Sequence, residues 1–235
     1  MGLVCAKTVR AVICTSSAAL AERLGSVLEH WALSECVRLT ADRAERLPIP
    51  GAEGAELLFL DMDSVELPER GRPENEKGSL IVISRDAGRA IHSYRWHPAA
   101  FLKPDFDERR FAEAMSSCEK NWQPGRVCLE SPSRRRAFRL PLGRVRYVEA
   151  EAHYCVFNQG KQFVRLRFAA GELDQLLPKP PFIRCHRSYL VHLGAVAGMT
   201  YTTLTLRDGA ALPLGRTHVR SVREALDDWQ SLNAD

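Results

Sequence analysis

The stretch Phe182–Leu193, FIRCHRSYLVHL, constrains this chain more than any other. Apolar Phe182, Ile183 and Cys185 lead into a polar knot of His186, Arg187 and Ser188. Apolar residues then resume at Tyr189, Leu190, Val191 and Leu193. A strand, a sharp exposed break and a second buried segment satisfy that pattern. The break carries an imidazole, a guanidinium and a hydroxyl. All three can serve groups on a nucleic acid, and the guanidinium can take two acceptors of a guanine edge at once. The competing reading is a polar loop between two strands of an unrelated β domain.

Charge sharpens the choice. The chain has 235 residues, room for two domains of ordinary size. Residues 1–120 hold 16 Lys and Arg against 19 Asp and Glu, a net of −3, whereas residues 121–235 hold 17 against 10, a net of +7. Fifteen of those 17 cations are Arg, the residue suited to bidentate contacts with phosphate and guanine. The seven cysteines are odd in number and form no CxxC pair, which argues for reduced thiols in a cytoplasm. No apolar run approaches a membrane span, and Met1–Lys7 lacks the apolar core of a signal peptide.

The N-terminal half alternates strands with helices. Thr8–Cys14 is β-branched. Ser16 or Ser17 can cap a helix with Leu20, Leu24, Val27, Leu28 and Trp31 on one face. Cys36–Leu39 reads as a weak second strand, Glu56–Met62 and Leu80–Ser84 as buried strands, and Ala99–Leu102 as a short one. Asp107–Trp122 reads as a closing helix with Phe111, Ala114, Met115 and Cys118 inward. The alternation implies a parallel sheet covered on both faces. This order resembles a response-regulator receiver domain, a flavodoxin-like fold. By that resemblance Asp61 takes the place of the phosphoacceptor, Ser84 that of the switch hydroxyl and Lys103 that of the invariant lysine. Two departures stand out. Where receivers keep an acidic pair that holds Mg²⁺, this chain reads Cys14-Thr15-Ser16. Where they keep a third helix, Ser64–Gly78 has two prolines, two glycines and no apolar stripe. The expectation is a degenerate receiver over residues 1–122, with Asp61 inactive or paired with Lys103.

Asn121–Ser133 reads as a connection broken by Pro124, Gly125 and Pro132, followed by Arg134–Arg136. A linker over 123–136 and a mainly-β domain over 137–235 are expected. Short strands follow, separated by turns at Asn158–Lys161 and Arg207–Gly209. Along Phe163–Phe168, Arg165 and Arg167 share one face. A short helix over Gly171–Leu177 stops at prolines, and Thr217–Leu232 is amphipathic.

The central stretch, F-I-R-x-H-R-S-Y-L-V-x-L, resembles the signature of the LytTR DNA-binding domain. Val145–Val156 is similar to that family's opening and Leu204–Arg216 to its close, with Gly215 where Ser is common. The resemblance implies a β fold that reads duplex DNA through loops in successive major grooves. Three loops then matter, and His153, Arg187 and Arg216 are the base-reading candidates. Tyr154, Lys161, Arg184, His186, Ser188 and His218 are the phosphate-side candidates.

Other classes fit less well. Nucleophile motifs and phosphate-cradling glycine loops are absent, so catalysis is not expected. The histidines at 153, 186, 192 and 218 with Cys155 and Cys185 match no zinc spacing, and no cofactor or metal is expected. A protein-interaction module would not need the arginine excess, and RNA platforms of paired exposed aromatics are not visible. The expected function is a cytoplasmic, sequence-specific bacterial transcriptional regulator on paired DNA repeats. The resemblance adds a homodimer at least on DNA and a sensor kinase or other regulatory protein as partner, and the departure at Cys14-Thr15 implies a receiver that mediates dimerisation or control without phosphorylation. The alternative is phosphorylation-dependent control through Asp61.

Overall fold

The structure, a computed structural model, describes residues 2–4, 8–47, 54–67, 78–118, 128–131, 138–167 and 169–231. The chain forms two compact units. One comprises Ala6–Ala32 and Val37–Gly125, the other Met1–Cys5, Leu33–Cys36 and Arg126–Asp235. The first strand, β1 (Gly2–Val4), belongs with the second of these. The first unit then runs β2 (Val9–Cys14), α1 (Ala18–Ser34), β3 (Leu39–Ala44), β4 (Leu57–Asp61), β5 (Ser79–Ile83), α2 (Ala87–Ser93), β6 (Ala100–Leu102) and α3 (Glu108–Cys118).

Its five strands pair in parallel in the order β3-β2-β4-β5-β6. Counted from the first strand of the unit this is 2-1-3-4-5, the flavodoxin-like doubly wound order. The runs that form β2, β4 and β5 are apolar almost without interruption because both faces are covered. Alternate residues go to opposite layers. Ala11, Ile13, Leu57, Phe59 and Ile81 meet Leu24 and Leu28 of α1 and Phe111 and Met115 of α3. Val12, Cys14, Leu58, Leu60 and Val82 meet Met62 and Trp96. Ser17 is the cap of α1, its hydroxyl accepting the Leu20 amide at 3.3 Å, and Asp107 caps α3 by accepting the Arg110 amide at 2.7 Å. The second strand differs from expectation. It begins at Leu39, because Cys36 is in the left-handed region (φ 51°) as the chain leaves α1. Of the Ser64–Gly78 stretch, residues 68–77 lie outside the described residues, as do residues 119–122 of the expected closing helix.

The second unit continues with β7 (Cys128–Ser131), β8 (Phe138–Pro141), β9 (Tyr147–Glu151), β10 (Tyr154–Asn158), β11 (Phe163–Leu166), α4 (Ala170–Leu176), β12 (Phe182–His186), β13 (Tyr189–His192), β14 (Val196–Met199), β15 (Thr203–Leu206), β16 (Ala211–Pro213) and α5 (Val219–Ser231). All its pairings are antiparallel. The central sheet runs β11-β10-β9-β13-β12, and two three-stranded sheets run β14-β15-β16 and β1-β7-β8. One face of the central sheet sends Val148, Cys155, Phe157, Phe182 and Leu190 against Leu173 and Leu177. Cys185 and Val191 pack on the other side with Leu204, Leu206, Leu212 and the Val222, Leu226 and Trp229 stripe of α5. Gly160 (φ 89°) and Gly209 (φ 86°) occupy the two hairpin turns that the sequence marks. Within the stretch expected as a connection, Cys128–Ser131 is a strand, whereas Arg134–Arg136 lie outside the described residues.

Candidate functional site

Two loops emerge from one end of the central sheet of the second unit, and a third follows β16 of a neighbouring sheet. The first is the two-residue turn Ala152-His153 between β9 and β10, closed by the Glu151–Tyr154 pair. The second is Arg187-Ser188 between β12 and β13. The third is the 3-10 turn Arg216–His218 after β16. Two backbone hydrogen bonds tie them together. The Ala150 amide donates to the Ser188 carbonyl at 2.8 Å, joining the first loop to the second. The Gly215 amide donates to the Cys185 carbonyl at 2.8 Å, joining the third to the second. A register shift between Arg184 and His186 marks a bulge at Cys185, a device that re-aims side chains at a strand end.

His153, Arg187 and Arg216 are exposed. None of their side chains makes a hydrogen bond or ion pair among the described residues. Asp208, an acid near in sequence that could neutralise Arg216, is instead paired with Arg146, and Glu224, equally near, with Arg220. The three base-reading candidates thus present unspent donors from the three tied loops.

The phosphate-side candidates divide. The His186 Nδ1 accepts the Ser188 amide at 3.2 Å, which leaves its Nε2 to carry the proton as a donor. A Cβ at Gly215 would lie 3.1 Å from His218 Cδ2 and 3.6 Å from His186 Cδ2, so these two imidazoles converge on the third loop. Tyr154 lies under the Arg165 guanidinium, 4.3 Å from Cζ to ring centre, and Arg165 is also 3.1 Å from Glu151. Arg184 is braced inside the fold. Its Nε donates to Asp174 Oδ2 at 3.2 Å and its guanidinium to the Arg187 carbonyl at 3.0 Å. Burial would raise the Asp174 carboxyl, but hydrogen bonds and charge from Lys179 and Arg184 hold it below its ordinary value. Lys161 lies in the β10–β11 turn at the opposite end of β10, and the structure does not bring it together with the other candidates. Arg165 is a member of the cluster that the sequence reading left out. Its signal was present in the alternation of β11, and pairing with Val156 sets Arg165 diagonally across from Tyr154.

The strand ends of the first unit form an acid pocket at the switch point between β2 and β4. Asp61 is buried, 4% exposed. It accepts hydrogen bonds from Thr15 Oγ1 (2.7 Å), Ser64 Oγ (2.6 Å) and the Asp63 amide (3.0 Å). Neither Asp61 nor Lys103 has an ion-pair partner among the described residues, so the expected Asp61–Lys103 pair is absent from them. Ser84 donates to Asp63 Oδ1 at 2.6 Å, and Asp63 also accepts the Arg85 amide at 2.7 Å. Burial raises the Asp63 carboxyl, but these bonds and the Arg89 charge hold it below the usual value. The Cys14 thiol is pushed up to about 11 by burial and then by the Asp61 charge. A Mg²⁺ ion in a receiver needs hard oxygen ligands. A protonated thiol, a hydroxyl spent on Asp61 and a second carboxylate turned to Ser84 do not fit it.

Residues 135–227 match the family model of the LytTr DNA-binding domain. A response regulatory protein of Yersinia pestis is 24% identical over 229 residues, covering 88% of this chain and 92% of its own length. The transcriptional regulatory protein BtsR of Escherichia coli is 23% identical over 194 residues, covering 73% of this chain and 79% of its own. A solved LytTr DNA-binding domain from a Bacillus cereus methyl-accepting/DNA response regulator is 25% identical and covers 43% of this chain and 98% of its own, at a TM-score of 0.37.

Proposed function

We propose that this protein is a sequence-specific transcriptional regulator that binds duplex DNA through the three-loop end of its second unit. It acts by binding, without catalysis, in a bacterial cytoplasm. The observation that carries this reading is the set of unspent donors on His153, Arg187 and Arg216, held on loops tied by two backbone hydrogen bonds, within the segment that matches a DNA-binding family. Arg187 and Arg216 have the fork geometry for guanine O6 and N7. His186, His218 and Tyr154 flank them as phosphate contacts. Paired repeats would be occupied by two copies.

The receiver-like unit is proposed to work without aspartyl phosphorylation, because the Thr15 and Ser64 hydroxyls engage Asp61 and Cys14-Thr15 stands where an acidic pair would hold Mg²⁺. A regulatory protein other than a sensor kinase then becomes the simpler partner. The test is selection of bound fragments from genomic DNA by the full chain, followed by titration of the selected site at rising salt. Affinity should fall linearly in log–log form as counterions are released. Absence of retention at low salt, or retention that salt does not change, overturns the reading.

A further inference from the structure

The receiver-like unit holds a cleft of about 470 Å³ lined by Arg23, Arg85, Lys103, Pro104 and Asp105. Arg85 follows the carboxyl end of β5 and Lys103 that of β6, the edge of an open α/β sheet where ligands bind. Three cations face one carboxylate, a surplus of two positive charges. The walls are already fixed. The Arg23 guanidinium donates to the Pro104 carbonyl at 3.1 Å and to that of Phe106, and lies 4.8 Å from the Phe106 ring centre. The Phe106 amide closes the turn onto the Lys103 carbonyl at 3.1 Å. Arg85 is held through its amide by Asp63.

Two of the three cations are unspent. Neither the Arg85 nor the Lys103 side chain makes a hydrogen bond or ion pair among the described residues. Asp61 is satisfied by the hydroxyls of Thr15 and Ser64, so it leaves the Lys103 ammonium available. Cations gathered on a braced frame repel one another unless an anion joins them.

We propose that this cleft binds a small phosphomonoester non-covalently. A phosphate dianion matches the surplus of two charges. Arg85 offers a guanidinium fork and Lys103 a point charge, the two modes by which proteins hold phosphate. Asp105 stands at the same cleft as an acceptor for a hydroxyl on the organic part. The site lies in the unit that carries none of the three DNA loops, so its occupancy is read without DNA and stands or falls apart from the DNA reading.

The experiment is an amide chemical-shift titration of the full chain with inorganic phosphate, with glycerol 3-phosphate, and with sodium chloride at matched ionic strength. Saturable shifts at Arg85, Lys103 and Asp105, larger for the ester and absent with chloride, are expected. Arg85→Ala and Lys103→Ala, both at exposed positions, should each weaken binding about tenfold or more. Asp105→Ala, which removes the acceptor, should remove the preference for the ester over inorganic phosphate. Arg187→Ala and Arg216→Ala should leave these shifts in place. Shifts that chloride reproduces, that do not saturate, or that are confined to the loops of the second unit overturn the proposal.

Discussion

Arg184, Arg187 and Arg216 carry the same side chain and are assigned different work by their partners. Arg184 spends its donors on Asp174 and on the carbonyl of Arg187, so it holds the second loop in place. Arg187 and Arg216 spend theirs on nothing among the described residues. Arg216→Ala should therefore cut affinity for the best DNA site about 5- to 150-fold, the equivalent of roughly 1–3 kcal/mol of base discrimination. The melting temperature should stay where it is. A fall in melting temperature with an unchanged ranking of DNA sites would mean that Arg216 serves the fold. Arg184→Ala should do the reverse. It should cost stability by about 1–3 kcal/mol and weaken all DNA sequences alike. The Asp174 carboxyl is depressed in the folded protein, so its stabilisation is complete above the ordinary carboxylate range. It is lost as pH falls through the depressed folded value. Denaturation midpoints measured down into acid should show that loss in the parent and less of it in Arg184→Ala.

At the scale of elements, apolar runs and turn residues were legible, and contacts distant in sequence were not. Leu57–Asp61 and Ser79–Ile83 announce themselves as buried strands because both faces are covered. β3 does not, since its residues are mostly exposed and only its pairing with β2 defines it. The hydrogen bonds that tie the three loops join residues 30 or more positions apart in sequence. No local pattern encodes them, nor does any encode the hold of Asp63 on Ser84. The turn of the first loop shows a local misfit that sequence alone also hides. Ala152 has φ 48° at the first central position of a two-residue hairpin, where glycine is favoured. The left-handed region costs a residue with a Cβ roughly 1–2 kcal/mol, partly offset by the extra unfolded-state freedom of glycine, about 0.5–1 kcal/mol. Ala152→Gly should thus raise the melting temperature slightly. A drop would show that His153 needs the stiffer turn to hold its position, and DNA affinity measured on the same variant would fall with it.

Across the whole molecule, the sequence separates an acidic half from an arginine-rich half, and the structure gives each a different chemistry. The surroundings of Asp61 argue against control of the first half by phosphoryl transfer. A carboxylate attacks a phosphoryl group with a free oxygen lone pair and a nearby cation to offset the crowded negative charge. Asp61 has Oδ2 shared between the Thr15 and Ser64 hydroxyls and Oδ1 taken by the Asp63 amide. The two ligands that could recruit Mg²⁺ beside it are a raised thiol at Cys14 and a carboxylate at Asp63 that faces Ser84. Incubating the full chain with a small phosphodonor and Mg²⁺ should leave its intact mass unchanged. Asp61→Asn keeps one acceptor for the two hydroxyls, so it should lower stability by about 1 kcal/mol and change DNA affinity by less than about threefold, under 1 kcal/mol. An adduct of one phosphoryl group, present in the parent and lost in Asp61→Asn, would overturn this account. It would mean that Thr15 and Ser64 release Asp61 and that Asp63 swings from Ser84 to complete a metal site.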